Sequence, residues 1–105
     1  MSDVLRVGEI ELDRAARTVT RGLRKIRLRP TEFRLLKFFM ESPGRPLSRS
    51  QLRDGVWGRN ASVDERTVDA LVGRLRKALN RGNDRDPIQT VPNAGYVFSE
   101  RGGLD

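Results

Sequence analysis

Residues 62–81 read SVDERTVDALVGRLRKALNR. Val68, Leu71, Val72, Leu75 and Leu79 fall at i, i+3, i+4, i+7 and i+11, one apolar stripe of a 3.6-residue period. The opposite side carries Arg66, Thr67, Ala70, Arg74 and Lys77. A helix of this kind anchors on a core with one face and presents short and cationic side chains with the other. Two readings of the presented face are open, a solvated surface or a surface that meets a partner. Ser62-Val63-Asp64-Glu65 has the form of a capping box and places the helix start there.

Upstream lies a second helix start. Ser48-Arg49-Ser50-Gln51 is a capping box, followed by a short helix from Gln51 to about Trp57 with Leu52 and Val56 inward and Gly58 ending it. A loop over 59–63 separates the two, which is helix-turn-helix order with a longer loop than usual. Further upstream, PTEFRLLKFFMES begins at Pro30, a residue tolerated in a first helical turn, with Glu32 at the positive dipole end. Leu35, Leu36, Phe39 and Met40 form its apolar stripe, and Phe33, Phe38, Phe39 and Trp57 are assigned to the core.

The first thirty residues read as short strands. Val4 to Asp13 forms one strand or two, broken at Gly8; Arg17 to Thr20 forms another; Arg24 to Arg29 alternates with arginines outward. Ile10, Leu12, Val19, Ile26 and Leu28 would share one face of an antiparallel meander. After the long helix, residues 80–87 are turn chemistry, and Ile88–Val91 and Tyr96–Ser99 flank a tight turn at Pro92-Asn93-Ala94-Gly95 as a hairpin.

The 105 residues fit one domain with a modest core, ordered over about 4–99. The chain has no cysteine and no histidine, which removes disulfides, thiolate or imidazole metal sites and the usual Ser-His and Cys-His nucleophiles. No carboxylate spacing suggests a cation site, no cofactor is called for, and an enzyme is not expected. Net charge is +7, carried by 18 arginines against 3 lysines. Arginine suits bidentate contact with phosphate and base edges. No apolar run approaches the roughly 18–20 residues of a membrane span, and the N-terminus lacks a signal-peptide pattern. A cytoplasmic protein without membrane association is the expectation.

Strands, three helices and a terminal hairpin make an α+β winged helix-turn-helix. The segments RPTEFRLLKFFMESPGRPLSRSQL, VWG, DERTVDALVGRLRKAL and IQTVPNAGYVF resemble, in order and spacing, the C-terminal DNA-binding effector domain of bacterial OmpR/PhoB-type response regulators. Its phosphate-regulon branch is the nearest likeness. The resemblance implies an N-terminal antiparallel sheet of about four strands, three helices and a β-hairpin wing. It implies two-component transcription regulation, with the third helix (64–81) in the major groove of double-stranded DNA. It also implies tandem head-to-tail binding to direct repeats. A receiver domain belongs to such a protein, and a chain of this length has no room for one, so the effector domain alone is expected.

Carried over residue by residue, the resemblance makes Arg74 the base-reading arginine. Thr67 and Ala70 become short groove-face residues, and Arg66, Arg76, Lys77 and Arg49 phosphate contacts. Gly73 stands on the groove face where an arginine is often found, and Leu71 where a histidine is typical. Asn93, Ala94, Gly95 and Tyr96 fall on the wing, whose basic tip is replaced by Pro92-Asn93-Ala94. The loop from Trp57, Gly58, Arg59 and Asn60 to Asp64 would touch the sigma subunit of RNA polymerase. A winged-helix protein-interaction module with weak non-specific DNA binding is the competing class.

Overall fold

In the computed structural model, which describes residues 3–100, the alternating N-terminal residues do become a sheet. Strands β1 (Val4–Val7), β2 (Ile10–Asp13), β3 (Thr18–Arg21) and β4 (Arg24–Ile26) pair antiparallel in the order β1-β2-β3-β4. The break at Gly8 is a turn with φ +58°, so the first expected segment is two strands. Register explains the sheet's inner face: Leu12 lies opposite Val19, and Val19 opposite Ile26. With Ile10 they form a buried row. Leu28 is only half-buried, because β4 stops at Ile26 rather than running on to Arg29.

Helices α1 (Pro30–Met40), α2 (Arg49–Trp57) and α3 (Glu65–Leu79) pack on one another, and α1 packs against β1 of this sheet. Helix α1 begins where expected, and the Glu32 carboxylate turns back to accept a bond from the Arg29 amide at 2.9 Å. Helix α2 starts at Arg49, slightly earlier than expected, behind the anticipated box: Ser48 Oγ accepts from the Gln51 amide, and Gln51 Oε1 from the Ser48 amide. At Gly55 a side chain would run into the Phe38 ring of α1, so the glycine lets the two helices approach.

Two ends of α3 differ from the sequence reading. The cap is Asp64, not Ser62, because the Asp64 carboxylate accepts from both the amide (3.0 Å) and the hydroxyl (3.1 Å) of Thr67. The helix ends at Leu79 rather than Arg81. The Leu79 carbonyl is taken by the guanidinium groups of Arg21 (3.0 Å) and Arg24 (2.8 Å), cations placed at the negative end of the helix dipole. Arg21, the last residue of β3, is 94% buried there and also binds Asn80, Arg85 and Glu9.

The apolar stripe of α3 is the middle of the core. Val68 is 1% exposed and Leu71, Val72, Leu75 and Leu79 are fully buried. Each such side chain contributes about 1.5–3 kcal/mol of transfer free energy. Strands β5 (Ile88–Val91) and β6 (Gly95–Phe98) close the chain as a hairpin. Phe98 stacks on Phe39 at 6.0 Å, tying that hairpin to α1. Of the aromatic residues assigned to the core, Phe39 is fully buried, while Phe33, Phe38 and Trp57 pack partly buried against it.

Candidate nucleic-acid interface

Burying the stripe of α3 leaves the other side of the helix to solvent. Arg66, Thr67, Ala70, Gly73, Arg74 and Lys77 are all exposed. Arg66, Ala70, Gly73 and Lys77 run along the axis at i, i+4, i+7 and i+11, with Thr67 and Arg74 beside them. Because Ala70 and Gly73 carry almost no side chain, the helix backbone is open at the centre of this face. Among the described residues nothing would meet a side chain at Gly73, so packing does not require the glycine.

Charge on the face is cationic and largely unspent. Among the described residues Arg66 and Lys77 enter no ion pair, and Arg74 is 55% exposed, with its Nε 3.8 Å from the buried carboxylate of Glu32. That distance is a weak tether that leaves the guanidinium free to swing outward. Among Thr67–Leu79 the sole carboxylate is Asp69, and its charge would repel an approaching anion. The fold neutralises it. Arg49 Nε donates to Asp69 Oδ1 at 2.7 Å and Tyr96 Oη donates to the same oxygen at 2.6 Å. Burial pushes the Asp69 carboxyl up, but the bonds from Tyr96 and Arg49 outweigh it and hold the group below the usual carboxylate value. Burial and the bond to Asp69 push the Tyr96 phenol up.

Tyr96 thus fastens the hairpin to α3, and two more guanidinium contacts strengthen the clasp. Arg49 and Arg76 lie over its ring at 5.3 and 5.5 Å, cation–π distances. Arg76 also binds the Ile88 carbonyl at 3.0 Å, Thr90 Oγ1 at 3.2 Å and Asp86 at 3.0 Å. Arg49 and Arg76, read in the sequence as phosphate contacts, are therefore drawn into the joint between α2, α3 and the hairpin. On the far side of Tyr96 the chain is stitched to the segment before α2, with Leu47 and Tyr96 exchanging amide bonds at 2.8 and 2.9 Å. Gly95, at φ +128°, sits where any side chain would strike the Leu47 carbonyl.

Gly95 and Tyr96 are accordingly buried, and the exposed hairpin tip is Pro92, Asn93 and Ala94, with Asn93 at φ +62°. The tip carries no cation. In the α2–α3 loop, Gly58, Arg59 and Asn60 are exposed, Trp57 is half-buried, and Asp64 is committed to the cap of α3. The clasp was not legible in the sequence, since its members lie 20 and 27 residues apart. Its one signal was Asp69 itself, a lone acid in a cationic run. Among the described residues no group of carboxylates could hold a metal ion, and no helix is long and apolar enough to cross a membrane.

Comparison with known proteins agrees with this geometry. Residues 23–98 match the family described as "Transcriptional regulatory protein, C terminal". The phosphate regulon transcriptional regulatory protein PhoB of Rhizobium meliloti is 64% identical over 96 residues, covering 91% of this chain and 42% of that protein. The chain thus spans less than half the length of this relative. Among solved structures, the Klebsiella pneumoniae RstA DNA-binding domain in complex with its RstA box superposes with a TM-score of 0.80 at 28% identity, covering 92% of this chain and 97% of that one. The Thermotoga maritima response regulator DrrB, an OmpR/PhoB homolog, gives 0.80 at 30% identity, covering 92% and 44%.

Proposed function

The chain belongs to the transcriptional regulatory protein C-terminal family, the DNA-binding domains of OmpR/PhoB-type response regulators, and we propose that its α3 reads a specific sequence in the major groove of double-stranded DNA. The observation that carries this reading is the unbroken exposed face of Arg66, Thr67, Ala70, Gly73, Arg74 and Lys77. Short residues at its centre let a helix sit deep in a groove about 12 Å wide. Arg74 reads a base, as a guanidinium can meet guanine O6 and N7 together. Arg66 and Lys77 hold phosphates, contacts that position without specifying. Arg49 and Arg76 act on DNA chiefly by setting the angle of the hairpin against α3.

The hairpin is the wing and lies over the adjacent minor groove. With Pro92-Asn93-Ala94 at its tip it contributes little charge there. Arg59 and Asn60, on the exposed α2–α3 loop, suit a contact with the sigma subunit of RNA polymerase. The relative of the phosphate regulon supports a place for the whole protein in that response, with a receiver domain as partner and tandem copies on direct repeats. A gel shift at physiological salt tests the DNA reading. Tight binding to a direct-repeat duplex selected from random sequence, with weak binding to its scrambled counterpart, is the expected result. Equal weak binding to both would reject it.

A further inference from the structure

Beyond the carboxyl end of the reading face, β4 and the end of α3 enclose a cleft of about 390 Å³ lined by Arg24, Lys25, Arg27, Lys77 and Arg81, with no carboxylate in its wall. Four of these cations, Lys25, Arg27, Lys77 and Arg81, are exposed and, among the described residues, make no ion pair or side-chain hydrogen bond. Asp84, beside the cleft, is already engaged by Arg24 at 2.9 Å and by the Arg81 amide. Like charges held together without a counter-ion repel one another, and the arrangement becomes favourable when an anion enters.

Protection of β4 as an edge strand explains Lys25 and Arg27, since charge on an edge blocks pairing with another chain. It does not explain Lys77 and Arg81 on the opposite wall. Lys77 belongs both to this cleft and to the reading face, so the two surfaces are continuous. It stands ten residues beyond Thr67, about 15 Å along the helix at 1.5 Å per residue. That reach exceeds a major-groove width of about 12 Å. With the centre of α3 in a groove, the cleft meets the sugar-phosphate backbone at the groove's edge.

The geometry points to a second DNA contact: the cleft between β4 and the end of α3 clamps backbone phosphates flanking the bases read by α3. This rests on the DNA-binding reading above. The clamp supplies electrostatic grip that the uncharged wing tip does not. It adds affinity and salt dependence but no sequence preference.

The test uses the whole domain and a fluorescent duplex that it has itself selected from random sequence, in a long form and in a form trimmed of the flank on this side. The Lys25→Gln/Arg27→Gln double variant, and separately Arg81→Gln on the facing wall, are compared with wild type across a salt series. These side chains are exposed, so thermal melting should be unchanged, and the two walls give independent readings. On the long duplex the double variant should lower the slope of log affinity against log salt by about 1.8, at about 0.9 per lost phosphate contact. Arg81→Gln should lower it by about 0.9 on the same basis. Base preference should stay as in wild type, and the differences should vanish on the trimmed duplex. Wild-type slopes in both variants would overturn the clamp, while an altered base preference in Arg74→Ala would show that the DNA reading survives. Loss of side-by-side binding on direct repeats with an unchanged single-site slope would also overturn it, placing a neighbouring protein in the cleft. Failure to select any sequence would reject the DNA reading and the clamp together.

Discussion

Asp64 and Gly73 show how much single positions on α3 decide. Asp64 satisfies one orphan amide of the helix, that of Thr67, and accepts from its hydroxyl as well. Asp64→Ala should therefore lower stability by about 0.5–2 kcal/mol, read by chemical denaturation. Any loss of polymerase contact in that variant would be confounded by the helix; Arg59→Ala and Asn60→Ala leave the cap intact and should lower transcription activation while sparing DNA affinity. Gly73 behaves oppositely. A methyl group there meets open space, and a mid-helix glycine costs about 0.5–1 kcal/mol relative to alanine. Gly73→Ala should raise the melting temperature, and a simultaneous fall in affinity for the selected duplex would show that the face needs the bare backbone. Arg74→Ala should weaken specific binding by about 1–3 kcal/mol and relax preference at one base pair. An equal loss on every sequence would make Arg74 a phosphate contact instead.

Between elements, the Arg49–Asp69–Tyr96 clasp makes the attachment of the wing depend on pH. Asp69 titrates below its usual value in the fold, so the stability it confers is present above the unfolded carboxylate value, about 3.9, and is lost as pH falls through the lower folded value. Tyr96 titrates above its usual value, so its share is present below about pH 10 and is lost as pH rises through the folded value. Melting curves of wild type and Tyr96→Phe should differ most on the plateau between these limits and converge outside them. A constant difference across the whole range would remove the clasp as the source. The same joint shows what a sequence hides. The hairpin's existence was plain from Ile88–Val91, the turn and the returning strand. Its fastening was not, because Asp69, Arg49 and Tyr96 meet only after three elements have packed.

Across the whole molecule the +7 charge is distributed unevenly. Several arginines that composition alone would assign to a partner are structural. Arg21 and Arg24 hold the end of α3, and Arg76 holds the wing. Exposed cations line the face of α3 (Arg66, Arg74, Lys77) and the cleft beyond it (Lys25, Arg27, Arg81). Relatives with a basic wing tip should therefore show a different footprint, with more protection in the minor groove and less at the flank beyond α3. Hydroxyl-radical footprinting of this domain should find strong flank protection and a weakly protected wing side.

Much of this was determined by the sequence alone. The 3.6-residue stripe of α3, the Ser48-Gln51 box, the alternation of the first strands and the turn at 92–95 each rest on contacts between near neighbours, and local chemistry specifies them. The stripe also decided which side of α3 would be exposed, since a buried face defines the opposite one. Tertiary structure decided the rest. It stopped α3 at Leu79 with two arginines from the sheet, and took Arg49 and Arg76 out of the set of free cations. Those outcomes depend on partners 12 to 58 residues away, and a guanidinium's role is set by whichever carboxylate or carbonyl the fold brings to it. The helix that sequence marked as two-faced thus presents six exposed residues on its proposed reading face and continues, through Lys77, into the cleft beside β4.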